Sequence, residues 1–213
     1  NRVFAGDGDD LVIGYLAHAD DFSGEAGNDT LVTNAGPDRL EGGLGLDSLD
    51  PGSDGHNDTL HYADPTHGGD QVVNFSHTYD TFTFHSPAFG NLPEGALVQG
   101  VTFDIVDGTY TGSNGSGANY DAGLPSFLFD GDGNLIYDPD GNTGSYVTLA
   151  QVSGDQVQAD DLVMLNTSAA TSGDDLLFGT SNPDIIDGLE GNDTLVGWAG
   201  NDSLLGGTGD DSI

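Results

Sequence analysis

Aspartate recurs at a fixed distance behind glycine in two stretches of this chain. Near the start the sequence reads AGDGDDLVI from Ala5, GEAGNDTLV from Gly24, TNAGPDRLE from Thr33 and GGLGLDSLD from Gly42. From Gly179 it reads GTSNPDIID, GLEGNDTLV, GWAGNDSLL and GGTGDDSI. The sixth position of the nine-residue unit is Asp10, Asp29, Asp38 and Asp47 in the first array, with Asp58 in the irregular copy GSDGHNDTL. In the second array it is Asp175, Asp184, Asp193, Asp202 and Asp211. Glycine tolerates positive φ and close backbone approach, so G-G-x-G suits a tight turn that presents carbonyl oxygens. Carbonyl and carboxylate oxygens are the ligands that hard Ca2+ prefers. The chemistry on offer is oxygen ligation of several calcium ions.

The rest of each unit must position those oxygens. Its last three residues alternate polar, apolar, polar, which makes a very short strand with its middle side chain turned inward. Those middle residues are Val12, Leu31, Leu40, Leu49, Leu60, Val72, Leu177, Ile186, Leu195, Leu204 and Ile213, all aliphatic. They form a ladder for a thin core. A short fixed period means one structural unit stacked on itself.

The unit G-G-x-G-x-D-x-U-x, with U a large apolar residue, resembles the calcium-binding nonapeptide of the repeats-in-toxin (RTX) family, whose copies wind into a parallel β-roll. The resemblance implies that two repeats make one coil and that calcium lies between stacked turns. It then pairs Asp175 with Asp193, Asp193 with Asp211, Asp184 with Asp202, Asp29 with Asp47 and Asp38 with Asp58. The coil partner of Asp10 falls in the degenerate stretch GYLAHADDF, so no regular rung is expected there. Export in the unfolded state by type I secretion is also implied.

Composition points the same way. Of 213 residues 36 are acidic and two, Arg2 and Arg39, are basic, for a formal charge of −34. Only Glu25, Glu41, Glu94 and Glu190 are Glu; the other acids are Asp, which suits ligation in turns better than general solubility. Without metal these like charges oppose compaction, so folding should be coupled to ion binding. A chain without a basic surface is no partner for nucleic acid or for an anionic membrane. There is no Cys, so no disulfide reinforces the core. No apolar run approaches the length of a membrane span. The chain opens Asn1-Arg2-Val3 without an apolar leader, which reads as a processed product or a piece of something longer.

Three blocks are expected: a first β-roll over 1–73, an antiparallel β block over 74–166, and a second β-roll over 167–213. The fold class is all-β, with two parallel rolls flanking the antiparallel block. In that block VVNFSHTYDTFTFH alternates, with Phe75, Phe82 and Phe84 inward, and VTFDIVDGTY turns at Asp107-Gly108. PSFLFDGDGNLIYDPDGN reads as a hairpin. The series GGDQVVNF, YDTFTF, SFLFDGDGNLIYDPDGN and ADDLVML is similar to the segment that closes many RTX proteins, but here repeats follow it. DGDGN at Asp130 reads as a turn, because Leu135 stands where a calcium loop of the EF-hand type needs Gly. DPDGN at Asp138 leaves turn and metal site open.

Enzyme chemistry finds little footing. H-E-x-x-H and G-x-S-x-G are absent, as are Cys and Lys nucleophiles. His56, His61 and His67 share an irregular loop, match no standard ligand spacing, and read as solvated. Ice binding would need a uniform outward row of Thr, which Thr30, Arg39, Ser48 and Thr59 do not make. Leu176, Phe178, Ile185, Val196 and Leu205 lie at outward positions of the second array and mark a contact face. The reading is a non-enzymatic, secreted or cell-surface structural protein that binds several Ca2+ ions. It self-associates through its roll ends into a filament, surface layer or adhesin stalk, with cell-surface or matrix contacts as further partners. The alternative is a calcium-dependent folding and secretion module of a larger secreted protease or lipase.

Overall fold

The computed structural model describes residues 1–14, 18–86, 88–93, 95–141, 145–165, 175–178, 185–188, 191–197 and 203–213. Contacts divide the chain into two units, Asn1–Leu165 and Asn166–Ile213. The first unit opens with β1 (Arg2–Asp7), β2 (Leu11–Ile13), β3 (Asp21–Ala26), β4 (Thr30–Val32), β5 (Arg39–Leu44), β6 (Ser48–Asp50), β7 (Thr59–Tyr62), β8 (Asp70–Phe75) and β9 (Thr81–His85). It continues with β10 (Gly95–Ala96), β11 (Phe103–Val106), a one-turn helix α1 (Ala118–Asp121), β12 (Ser126–Asp130), β13 (Asn134–Asp138), β14 (Val147–Gly154) and β15 (Leu162–Leu165). No helix among the described residues is long and apolar enough to cross a membrane.

Alternate strands fall in alternate sheets, which is what winding two repeats per coil produces. One sheet runs β1-β3-β5-β7-β9-β15-β10 and the other β11-β12-β13-β14-β8-β6-β4-β2. Pairing through the roll is parallel, with Asp21 opposite Arg39 and Thr30 opposite Ser48, so the first array is a parallel β-roll. Insertions are taken up in the turns while the strands keep register: successive ladder aspartates are 18, 19, 20 or 23 residues apart. The position-four glycines make this stacking possible. A Cβ on Gly45 (φ +143°) would lie 1.7 Å from the Gly27 carbonyl oxygen, and one on Gly27 2.0 Å from that of Gly8.

The aliphatic ladder is the core. Leu31, Leu40, Leu49, Leu60 and Val72 are fully buried, and Val12 packs partly buried against them. The same cluster continues into Phe75, Phe82, Phe84, Phe89, Phe127 and Tyr137, with Phe84 and Phe127 ring centroids 4.5 Å apart. Beyond position 73 the structure corrects one expectation: the block is mixed, not antiparallel throughout. β9 lies parallel between β7 and β15, and β14 lies parallel to β8. Continuing the parallel register pairs the roll's open strand edges. Antiparallel pairing is confined to β12–β13–β14, where the expected hairpin sets Phe127 opposite Tyr137, and to β10–β15.

The second unit is a roll built from β16 (Leu176–Phe178), β17 (Ile185–Asp187), β18 (Thr194–Val196) and β19 (Ser203–Leu205). β16 pairs in parallel with β18, and β17 with β19. Leu177 and Leu195 are buried, whereas Ile213 is exposed. Of the outward apolar positions, Leu176 and Leu205 are exposed and Phe178 is buried.

Candidate metal centre

The Asp of one turn reaches the backbone of the turn stacked on it. On one side of the first roll Asp29 Oδ1 accepts the Asp10 amide, Asp47 Oδ1 the Asp29 amide and Asp70 Oδ1 the Asp47 amide, at 2.8–3.0 Å. On the other side Asp38 Oδ1 accepts the Asp20 amide and Asp58 Oδ1 the Asp38 amide, both at 2.8 Å. In the second unit Asp193 accepts from Asp175 and Asp211 from Asp193, at 2.8 and 2.9 Å. The expected pairs 29/47, 38/58, 175/193 and 193/211 are thus brought together. Asp184 and Asp202 lie outside the described residues.

One oxygen of each carboxylate is fixed by an amide, and the other is the chemically interesting one. The Oδ2 atoms of Asp29, Asp38, Asp47 and Asp193 are buried and accept no hydrogen bond. A Cβ on Gly24 would lie 2.3 Å from Asp29 Oδ2 and 2.5 Å from the Gly42 carbonyl oxygen of the next coil. Gly188 repeats this in the second unit, 2.4 Å from both Asp193 Oδ2 and the Gly206 carbonyl. Carboxylate and carbonyl oxygens therefore converge on the cradle that position-one glycine leaves. Burial raises the carboxyls of Asp29 and Asp38, takes Asp47 to about 6 and Asp58 to about 7, with neighbouring aspartates adding to the rise.

Among the described residues no protein cation pairs with these oxygens. Both arginines bracket Asp21 instead, Arg2 Nε at 3.2 Å and Arg39 Nη1 at 2.9 Å. Among the described residues no three His, Asp or Glu side chains cluster to hold a metal by themselves. A metal here must take backbone carbonyls as well, which favours a hard oxygen-seeking ion. The donor set fits Ca2+: Asp29, Asp38, Asp47, Asp58 and Asp193 would hold it with carbonyls of the adjoining turns. When bound, calcium supplies the positive charge that lets these buried carboxylates ionise.

Several residues differ from the sequence expectation. Asp10 does not look for its partner in the degenerate stretch; a coil of 19 residues sets it on Asp29. That stretch supplies Asp20 instead, buried on the opposite side beneath Asp38. The signals for Asp20 are the pair Asp20-Asp21 ahead of Phe22 and Gly14, where a Cβ would lie 2.5 Å from Asp20 Oδ2 and 2.6 Å from the Thr33 carbonyl oxygen; one extra residue between Gly14 and Asp20 and the loss of the other glycines hide the repeat. The cradle at Thr33 is filled by its own side chain, whose Oγ1 donates to the Pro51 carbonyl at 3.1 Å. Position five also builds a ladder, running the other way: Asp9 accepts from the Asn28 amide and Asn28 from the Leu46 amide.

The histidines are corrected too. His56 is solvated, but His61 and His67 are buried. His61 sits in β7 with Nδ1 2.9 Å from Thr83 Oγ1, and the turn carrying His67 packs on β5, bringing its Nδ1 to 3.9 Å from Glu41. Asp130 is a turn residue as expected: Oδ1 accepts the Asp132 and Asn134 amides and Oδ2 the Tyr110 amide. The open question at Asp138 closes in favour of a turn. Its Oδ1 accepts the Asp140 and Gly141 amides, and its Oδ2 the Tyr110 hydroxyl.

Stacked glycine turns with paired Asp side chains between parallel strands define a calcium-type β-roll. Comparison with known families agrees: the model of the RTX calcium-binding nonapeptide repeat (4 copies) matches residues 23–60, 169–204 and 178–213. The two arrays of this chain are thus RTX-type nonapeptide repeats. Among solved structures it is similar to the solution structure of the AlgE6R3 subunit from the Azotobacter vinelandii mannuronan C5-epimerase. That match has 22% identity, covers 74% of this chain and 78% of the other, and has a TM-score of 0.45. No curated protein matches the chain.

Proposed function

We propose that the chain is a calcium-folded structural module that works outside the cell. One observation carries the reading: Asp29, Asp38, Asp47 and Asp193 each bury an oxygen that no donor serves, in a chain whose formal charge is −34. Folding then depends on an external cation, and binding energy becomes folding energy. Extracellular calcium modules bind at roughly 10⁻⁴–10⁻³ M. At that affinity the chain stays open where calcium is scarce and folds after export. Typical secretion of RTX proteins supports the same direction.

Within this reading copies associate through strand edges. Among the described residues β1 and β2 pair on one side only, and they expose Phe4, Leu11 and Ile13. A parallel edge with apolar side chains is a template for a further strand. The test is far-ultraviolet circular dichroism with light scattering and electron microscopy, in millimolar calcium and after chelation. β structure and ordered polymers in calcium, both lost on chelation, are expected. Folded monomers in calcium would refute the association and leave a calcium-dependent module of a larger secreted protein. A fold indifferent to chelation would refute the reading as a whole.

A further inference from the structure

The ladder of the first roll contains a rung that the nonapeptide does not explain. Asp70 follows Gly68 and Gly69, opens β8, and stands where the next ligand after Asp47 would stand. Its Oδ1 continues the ladder by accepting the Asp47 amide at 3.0 Å. Its Oδ2, the oxygen that has no donor at Asp29 and Asp47, accepts the Tyr62 hydroxyl at 2.9 Å. Tyr62 is itself buried, with its ring 6.3 Å from Phe82 and 6.0 Å from Phe84. Burial and the facing Asp70 carboxylate hold the phenol well above its ordinary range, so the hydroxyl remains a donor.

Two further observations mark this as the end of the ladder. Ala150 of β14 lies in register with Asp70, so the next strand brings no carboxylate. At Gly24 the next coil's carbonyl enters the cradle at 2.5 Å, but the three atoms nearest a Cβ on Gly42 all belong to Asp47. Gly206 behaves as Gly42 does, its three nearest atoms all belonging to Asp211.

We propose that Tyr62 is a built-in stop for the ion ladder: its hydroxyl takes the place of a cation on Asp70, so ligation on this side reaches Asp47 and goes no further. The phenol is anchored in the aromatic cluster, so it also ties the last roll coil to the block that follows. This inference rests on the calcium reading above. The ion count separates the two. Native mass spectrometry of the full chain in calcium is made on the unsubstituted protein, D47N, D70N and Y62F. D47N should bind one ion fewer, D70N the same number, and Y62F one ion more. Loss of an ion in D70N overturns the proposal, as does a folded Y62F that gains none. If Y62F does not fold, D70N still decides. A chain that binds no calcium, or binds equally with and without Asp47, refutes the underlying reading instead.

Discussion

Gly24→Ala tests the cradle most directly. The added Cβ would stand 2.3 Å from Asp29 Oδ2 and 2.5 Å from the Gly42 carbonyl oxygen, where ordinary contact begins near 3.4 Å. Gly24 is not among the positive-φ glycines, so alanine strains no backbone dihedral there and the whole penalty is steric. Both oxygens must retreat by about 1 Å, whereas calcium–oxygen distances span only about 2.3–2.6 Å. Overpacking of this kind costs about 1–3 kcal/mol, which is about a 5- to 150-fold loss in binding constant. Gly8→Ala is the matched control. Its φ is +115° with nothing within 4 Å, so it adds backbone strain of about 1–3 kcal/mol but displaces no oxygen. Isothermal titration with calcium, alongside circular dichroism at each addition, reads both ion number and folding midpoint. Gly24→Ala should lose a site, and Gly8→Ala should keep the full number. A Gly24→Ala protein with the unsubstituted ion number and a midpoint within about twofold would show that these oxygens do not ligate.

Other perturbations separate ladder, core and turn. Asp47, Asp58, Asp70 and Asp80 are raised by burial to about 6, 7, 7 and 6, so the calcium-free fold favours their protonated forms. That stabilisation is complete below about pH 4 and is lost as pH rises through 6 to 7. Buried His61 and His67 are lowered, which opposes the fold as pH falls below about 6.5. Glu41 and Asp161 are raised as well, to about 8 and about 6, so raised carboxyls outnumber lowered imidazoles; chelated protein should gain β structure between pH 8 and pH 5, and a flat circular dichroism profile would refute this. Leu49→Ala, at a fully buried ladder position, should cost about 2–5 kcal/mol in calcium-loaded chemical denaturation. Asp130→Ala should destabilise the hairpin by about 1–3 kcal/mol, through amides left unserved, without changing the ion number in mass spectrometry. Leu11→Asp should leave calcium-induced folding intact while abolishing polymers in electron microscopy.

The repeat made much of this legible. Gly, Asp and an aliphatic residue at fixed places predict the buried Leu31–Leu40–Leu49–Leu60 ladder, and the resemblance to the RTX nonapeptide implies parallel stacking and the pairing of Asp29 with Asp47. Those features are local, because each unit meets a copy of itself. The parts that failed depend on insertions and on distant partners. A single added residue moved Asp10 onto Asp29, and the degenerate stretch still delivered Asp20 to the other side. The burial of His61 and His67 is not legible locally, because no local pattern shows that a turn folds back onto β5. The mixed pairing after position 73 is not legible either, because the alternation there fits parallel and antiparallel pairing equally.

The sequence by itself determined the unit: which oxygens face the turns, which side chain faces inward, and a charge that opposes compaction. Only the tertiary structure decided where the ladder runs and where it stops. Asp47 and Asp70 both stand behind glycines in sequence, yet one carboxylate oxygen is left without a donor and the other holds the Tyr62 hydroxyl. The difference lies in the Tyr62 hydroxyl, which the end of β7 brings to Asp70, and such neighbours are set by packing.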